Sequence, residues 1–202
     1  MQETNFSIII CVDEAAALLE KSLASILRQT FFSYEVLVIN KNNYKQTKKI
    51  IEQYKEKMGA NLRWMNLKEA NQQVAMNEGV KMARGKYVTF LQVGEEITAD
   101  SLTQALACAQ KYPQADVVYG VENIWEKSKQ IKGRLNAQAE TLPIKNKFPS
   151  HLYYRKDLHQ QFGFYGRENK VIEDYTFCLK AFYLGQAIVR PFDLISRETV
   201  GS

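Results

Sequence analysis

The stretch Lys86-Tyr87-Val88-Thr89-Phe90-Leu91-Gln92-Val93-Gly94-Glu95-Glu96 decides the fold of this chain. An apolar strand, Lys86–Leu91, runs into a turn and ends on two adjacent carboxylates. In an α/β sheet the ligand crevice lies at the carboxyl ends of the strands. The polar residues from Gln92 onward therefore stand where a ligand is met. Oxygen ligands at such a strand end are the place to hold a divalent cation and a nucleoside diphosphate.

Upstream, the strand is preceded by a helix over about Glu69 to Arg84, with Gly85 placed for a left-handed cap. Before it, Phe6-Ser7-Ile8-Ile9-Ile10-Cys11-Val12 is a β-branched run suited to a strand covered on both faces. Ala16, Leu19, Leu23, Ile26 and Leu27 follow at helical spacing, with Asp13 near the cap. A second apolar run, Val36–Ile39, ends at Asn40-Lys41-Asn42-Asn43. A Lys-rich helix to Met58 and a strand over Asn61–Asn66 come next. Downstream, Leu102, Ala105, Leu106 and Ala109 share one helical face, Pro113 stops that helix, and Asp116–Val121 reads as a strand. This alternation implies right-handed βαβ crossovers and a largely parallel sheet. Neither GxGxxG after the first strand nor GxxxxGK[ST] anywhere is present, which disfavours a dinucleotide-binding Rossmann domain and a P-loop NTPase.

After Val121 the rhythm changes. Glu122–Lys132 reads as a hairpin and Arg134–Lys147 as a polar loop. Phe148–Tyr154 reads as a strand and Arg155–Phe162 as a short helix ended by Gly163. Val171–Leu184 reads as a helix closed by Gly185, before a strand at Gln186–Arg190. Ser196 to Ser202 do not read as a finished domain end, so a longer parent chain, or added residues at Gly201-Ser202, is expected.

With 202 residues, 46% hydrophobic and 24% charged, the chain fits one globular domain. No apolar run reaches the roughly 20 residues of a membrane-spanning helix, and Met1-Gln2-Glu3-Thr4-Asn5 lacks a basic n-region. Cys11, Cys108 and Cys178 sit in apolar contexts without metal-ligand spacing, as reduced thiols do. The net charge is +5, but residues 125–170 carry ten basic against four acidic side chains, +6 in all. Such an excess attracts an anionic partner, a phosphorylated acceptor or a lipid surface, or forms a solvated basic face.

Several pieces, taken in order, resemble family 2 glycosyltransferases from Phe6 to about Ser202. Phe6–Val12 with Leu19–Thr30 resembles the first strand and helix, and Glu35–Asn43 the second strand with its nucleotide-facing turn. Asn77-Glu78-Gly79 with Ala83–Leu91 resembles the lead into the metal site. Leu152–Leu158 and Phe162-Gly163-Phe164-Tyr165 resemble the acceptor-side strand and turn, and Glu173-Asp174-Tyr175 the family's Glu-Asp pair. The resemblance implies an α/β GT-A fold, a mostly parallel central sheet flanked by helices with a small acceptor-side extension. Residues 1–121 would be the nucleotide-sugar-binding half and residues 122–202 the acceptor half of one domain.

The resemblance also assigns roles. Asp174 is the expected base that takes the acceptor hydroxyl proton, with Glu173 as its neighbour. Two adjacent carboxylates repel, and partial burial raises one pKa towards a useful range; alternatively the pair complements a helix N-terminal dipole. Val12, Glu14, Asn40 and Gln92 are the expected donor-binding residues. The family's Phe-Leu-Asp-x-Asp-Asp reads Phe90-Leu91-Gln92-Val93-Gly94-Glu95 here, leaving Glu95 as the expected metal ligand. Asn40 stands where an Asp receives uracil or ribose, and Met76 where an Arg is often found. A neutral Gln and a side-chain-less Gly are poor partners for a hard dication.

Two function classes follow. The first is an inverting transferase that moves a sugar from a nucleotide-sugar to a glycan, lipid-linked or anionic polymer acceptor, with manganese or magnesium as cofactor. The second is a non-catalytic GT-A module, without a cofactor, that binds glycan or a partner domain of a larger cell-envelope protein. Nucleic acid is not an expected partner, because the fold accounts for Tyr153, Tyr154 and Phe164. The expected location is the cytoplasm, with peripheral association at the inner face of the membrane.

Overall fold

The computed structural model describes residues 4–13, 16–41, 44–68, 70–119, 122–126, 129–131, 152–166, 188–189 and 195–199. Glu14, Cys178, Glu173, Asp174, the loop Arg134–Lys147 and the helix expected at Val171–Leu184 lie outside them.

The apolar runs become adjacent parallel strands. β1 (Phe6–Val12) pairs with β2 (Tyr34–Lys41), and β2 with β3 (Leu62–Leu67). On its other side β1 pairs in parallel with β4 (Tyr87–Phe90). Alternation along β1 and β2 divides the core between the two faces of this sheet. Ile8, Ile10, Val12, Val36 and Val38 join Leu19, Leu23 and Ile26 of α1 (Ala16–Leu27) and Ile51 and Tyr54 of α2 (Lys45–Met58). Ile9, Leu37 and Ile39 join Ala75, Met76 and Val80 of α3 (Gln72–Met82) on the opposite face. Both faces being covered is why these strands read as nearly unbroken apolar runs.

β5 (Glu96–Ile97) and α4 (Ser101–Lys111) follow the strand-end turn, and β6 (Val117–Tyr119) continues the chain. β7 (Glu122–Glu126) and β8 (Lys129–Ile131) form the expected hairpin. β9 (Leu152–Arg155) inserts antiparallel between β4 and β6. The short helix α5 (Leu158–Phe162) ends, as its sequence implies, at Gly163 with φ +82°. With β10 (Ile188–Val189) and β11 (Ile195–Thr199) the order is β10-β6-β9-β4-β1-β2-β3 in a seven-stranded sheet and β5-β11-β7-β8 in a smaller one.

Gly85 differs from its sequence reading. The helix stops at Met82, Ala83 is extended, and Gly85 does not have a positive φ. Glycine is required there by proximity, because a Cβ would lie 2.6 Å from the Phe6 carbonyl carbon and the Ser7 nitrogen. The Gly85 N–H donates to Ser7 Oγ at 2.8 Å, and Ser7 donates to Glu35 at 2.8 Å. Asp13 likewise pairs with Lys41 at 3.3 Å, joining the first two strand ends.

Among the described residues no helix is long and apolar enough to cross a membrane. Burial pushes the Cys108 thiol pKa up, away from reactivity.

Candidate functional site

The carboxyl ends of β1, β2 and β3 bring Val12, Asn40 and Asn66 side by side, since Val12 pairs with Asn40 and Asn40 with Asn66. Val12 and Asn40 are fully buried. Asn40 Nδ2 donates to Asn66 Oδ1 at 2.8 Å and reaches the Tyr44 carbonyl, just ahead of α2, at 3.5 Å. A backbone carbonyl only accepts, so the amide nitrogen is the atom turned towards Tyr44. Asn40 Oδ1 is left as a buried acceptor with no hydrogen-bond partner among the described residues. A buried acceptor in this state costs about 1–3 kcal/mol unless a donor reaches it.

Next to this edge, β4 delivers Gln92. The Leu91 N–H donates to the Ile9 carbonyl at 3.0 Å, holding the strand end against β1. The Glu95 N–H then donates to the Gln92 carbonyl at 3.0 Å, and Gly94 has φ +92°. That combination is a type II turn, in which the third residue takes a positive φ and favours glycine. The glycine therefore belongs to the shape of the turn.

Helix α1 holds this turn from beneath. Ser22 Oγ accepts the Gly94 N–H at 2.9 Å and donates to the Glu95 carbonyl at 2.9 Å. One turn on, Ser25 Oγ accepts the Ile97 N–H at 3.2 Å. Gln29 then donates to the Thr98 carbonyl at 2.6 Å and accepts the Leu102 N–H at 3.2 Å. Ser22, Ser25 and Gln29 are all buried. The sequence reading followed only the apolar stripe of α1; the spacing of these three small or amide side chains is the signal it passed over.

Glu95, the expected metal ligand, is 2% exposed, and its Oε2 accepts the Gln92 N–H at 3.0 Å, closing the turn on itself. Glu96 is ion-paired with Arg28 at 3.0 Å. Among the described residues no group of three or more His, Cys, Asp or Glu side chains is arranged to hold a metal ion. With Gln92 neutral, Gly94 bare and Glu95 turned inward, the described residues do not fit a divalent cation.

On the other side of β4, Phe90 packs edge-on against Tyr165, ring centroids 5.9 Å apart. Asn77 of α3 holds Tyr165 at both ends of its backbone, donating to its carbonyl at 2.8 Å and accepting its N–H at 2.9 Å. Behind it, His159 lies 3.0 Å from the Tyr154 hydroxyl and 3.0 Å from the Gly163 carbonyl, and Tyr154 and Tyr165 hydroxyls are 3.2 Å apart. Because the Gly163 carbonyl only accepts, Nδ1 carries the proton and Nε2 accepts from Tyr154. Burial pushes the His159 pKa below its ordinary value. This cluster anchors the segment from which the chain continues towards Glu173 and Asp174. Within the basic stretch, Arg155 pairs with Asp157 at 2.5 Å and Asp116 at 3.7 Å, and Lys156 donates to the Ala83 carbonyl.

Residues 7–176 match the family model described as glycosyl transferase family 2. The chain belongs to glycosyl transferase family 2. It is 28% identical over 181 residues to a PGL/p-HBAD biosynthesis glycosyltransferase of Mycobacterium tuberculosis, covering 88% of this chain and 69% of the relative. It is 25% identical over 191 residues to the poly(ribitol-phosphate) beta-N-acetylglucosaminyltransferase TarS of Staphylococcus aureus, covering 88% of this chain and 32% of TarS. The crystal structure of TarS 1–349 in complex with UDP-GlcNAc matches with a TM-score of 0.77 at 22% identity, over 98% of this chain and 59% of that one. The mannosyltransferase PcManGT of Pyrobaculum calidifontis, solved with GDP-Man and Mn2+, matches with a TM-score of 0.69 at 15% identity, over 94% of this chain and 56% of that one. The fold of this family 2 chain is the expected GT-A fold, and the chain spans less than two thirds of either solved neighbour.

Proposed function

We propose that this chain transfers a sugar from a nucleotide-sugar donor to a glycan, lipid-linked or polymer acceptor with inversion. The nucleotide would lie on the edge formed by Val12, Asn40 and Gln92, and Glu14, two residues after Val12 in sequence, is proposed as a further donor contact. The observation that carries the reading is Asn40 Oδ1, a buried acceptor at the carboxyl edge of a family 2 sheet. The imide N–H of a uracil ring is the kind of donor that would satisfy it. TarS, whose crystal structure holds UDP-GlcNAc, supports a uridine diphosphate sugar as the first donor class to test.

In the proposed reaction the acceptor hydroxyl oxygen attacks the anomeric carbon as its proton passes to the Asp174 carboxylate. The bond from that carbon to the diphosphate breaks, and its electron pair leaves with the nucleoside diphosphate. Residues 1–121 would supply the donor half and residues 122–202 the acceptor half. The relatives are named as transferases, which supports this reading over a non-catalytic module. Cell-envelope acceptors fit those names, and the cytoplasm, at the inner membrane face, is the compartment proposed with them.

The test is nucleotide release from UDP-GlcNAc, UDP-glucose and GDP-mannose, with Asp174→Asn as the control. Release abolished by that variant, with UDP binding retained, is expected. Equal release from both proteins would overturn Asp174 as base, and no release with any acceptor class would overturn the proposal.

A further inference from the structure

We infer that this chain binds its nucleoside diphosphate without a divalent cation, on an edge where neutral amides replace carboxylates. The inference rests on the proposed donor site and concerns how that site is held electrically.

A dication at a strand end needs anionic oxygens that face it. The described carboxylates at this edge are each committed elsewhere. Asp13 is neutralised by Lys41 at 3.3 Å, a lysine whose side chain is only 13% exposed. Glu96 pairs with Arg28 at 3.0 Å. Glu95 is 2% exposed and accepts the backbone N–H of Gln92. Turning Glu95 outward would leave that Gln92 N–H without its side-chain acceptor.

The turn itself is shaped for no side chain at its third position. Gly94 has φ +92°, where an L residue is strained, and its N–H is taken by Ser22. A carboxylate at this position would have to be carried by a different backbone. The amides fit one another instead: Asn40 is fully buried, is oriented by Asn66 and Tyr44, and presents Oδ1 as a neutral acceptor. A neutral acceptor binds an N–H donor without adding the negative charge that a cation would otherwise offset.

The experiment is calorimetric titration of the whole chain with UDP, and separately with GDP, in EDTA and in millimolar manganese. Manganese alone is followed by the electron paramagnetic resonance signal of the free ion. The expected result is UDP affinity that agrees within about twofold between the two buffers, with the free-manganese signal unchanged by the protein. Binding seen only with manganese, or loss of the free-ion signal on adding protein, would overturn this inference and leave the proposed function standing. No binding of either nucleotide in either buffer would overturn both.

Discussion

The hydroxyl of Ser22 donates to the carbonyl of Glu95 at 2.9 Å, 73 residues away in sequence. The same oxygen accepts the Gly94 N–H, so one buried side chain of α1 holds two peptide groups of the strand-end turn. Helix α1 thereby positions the part of the site that the sequence makes most conspicuous. Ser22→Ala removes both bonds and leaves the Gly94 N–H without its side-chain acceptor. The expected loss is about 1–3 kcal/mol in urea denaturation, together with weaker UDP binding. Unchanged UDP affinity would show that the turn does not face the donor.

Asn66 tests the amide pair. It is exposed, in register with Asn40, and accepts from Asn40 Nδ2 at 2.8 Å. Asn66→Ala frees the Asn40 amide to rotate and should weaken UDP binding, whereas Asn66→Asp keeps an acceptor and should restore it. Calorimetry on the two variants distinguishes positioning from bulk. Equal losses in both would argue that the side-chain acceptor is irrelevant.

How much of this was legible beforehand depends on the range of the interaction. Strands β1, β2 and β4 are apolar runs whose pattern is local, and the resemblance fixed their order. The hairpin from Glu122 and the helix stop at Gly163 are also local signals. Gly85 was misread because its reason lies 78 residues away, at Ser7, and a glycine needed for close approach looks in sequence like one needed for a cap. The inward direction of Glu95 was not legible, because a carboxylate at a strand end gives no sign in sequence of which way it points. Ser22, Ser25 and, two residues past the end of α1, Gln29 escaped notice because polar residues on or just after a helix ordinarily read as facing solvent.

Gly85→Ala places a Cβ 2.6 Å from backbone atoms of Phe6 and Ser7, and backbone cannot move aside as a side-chain end can. A destabilisation of about 1–3 kcal/mol or more is expected, in the range of an overpacked core, measured as a lower urea midpoint at unchanged slope. A loss within about 0.5 kcal/mol, typical of an open surface site, would contradict the close approach.

His159 makes the acceptor-side cluster sensitive to acid. Burial is the larger cause of its lowered pKa; the nearby Lys156 charge acts in the same direction and the Gly163 hydrogen bond against it. The folded protein thus holds the proton less tightly than the unfolded chain does. The stability this residue contributes is present above its ordinary value of 6.5 and is lost as pH falls from there towards the folded pKa. Between about pH 7.5 and about pH 5, wild type should lose more stability than His159→Gln. Parallel pH profiles would show that His159 is not the responsible group.

The most direct test of the donor-edge account is a titration of the labelled chain with UDP, followed by backbone amide chemical shifts. The account predicts that the largest shifts cluster at Val12, Asn40 and Gln92, the carboxyl edge of β1, β2 and β4, with or without manganese. Shifts absent there, or centred on the opposite edge around Ser7, Glu35 and Gly85, would contradict it.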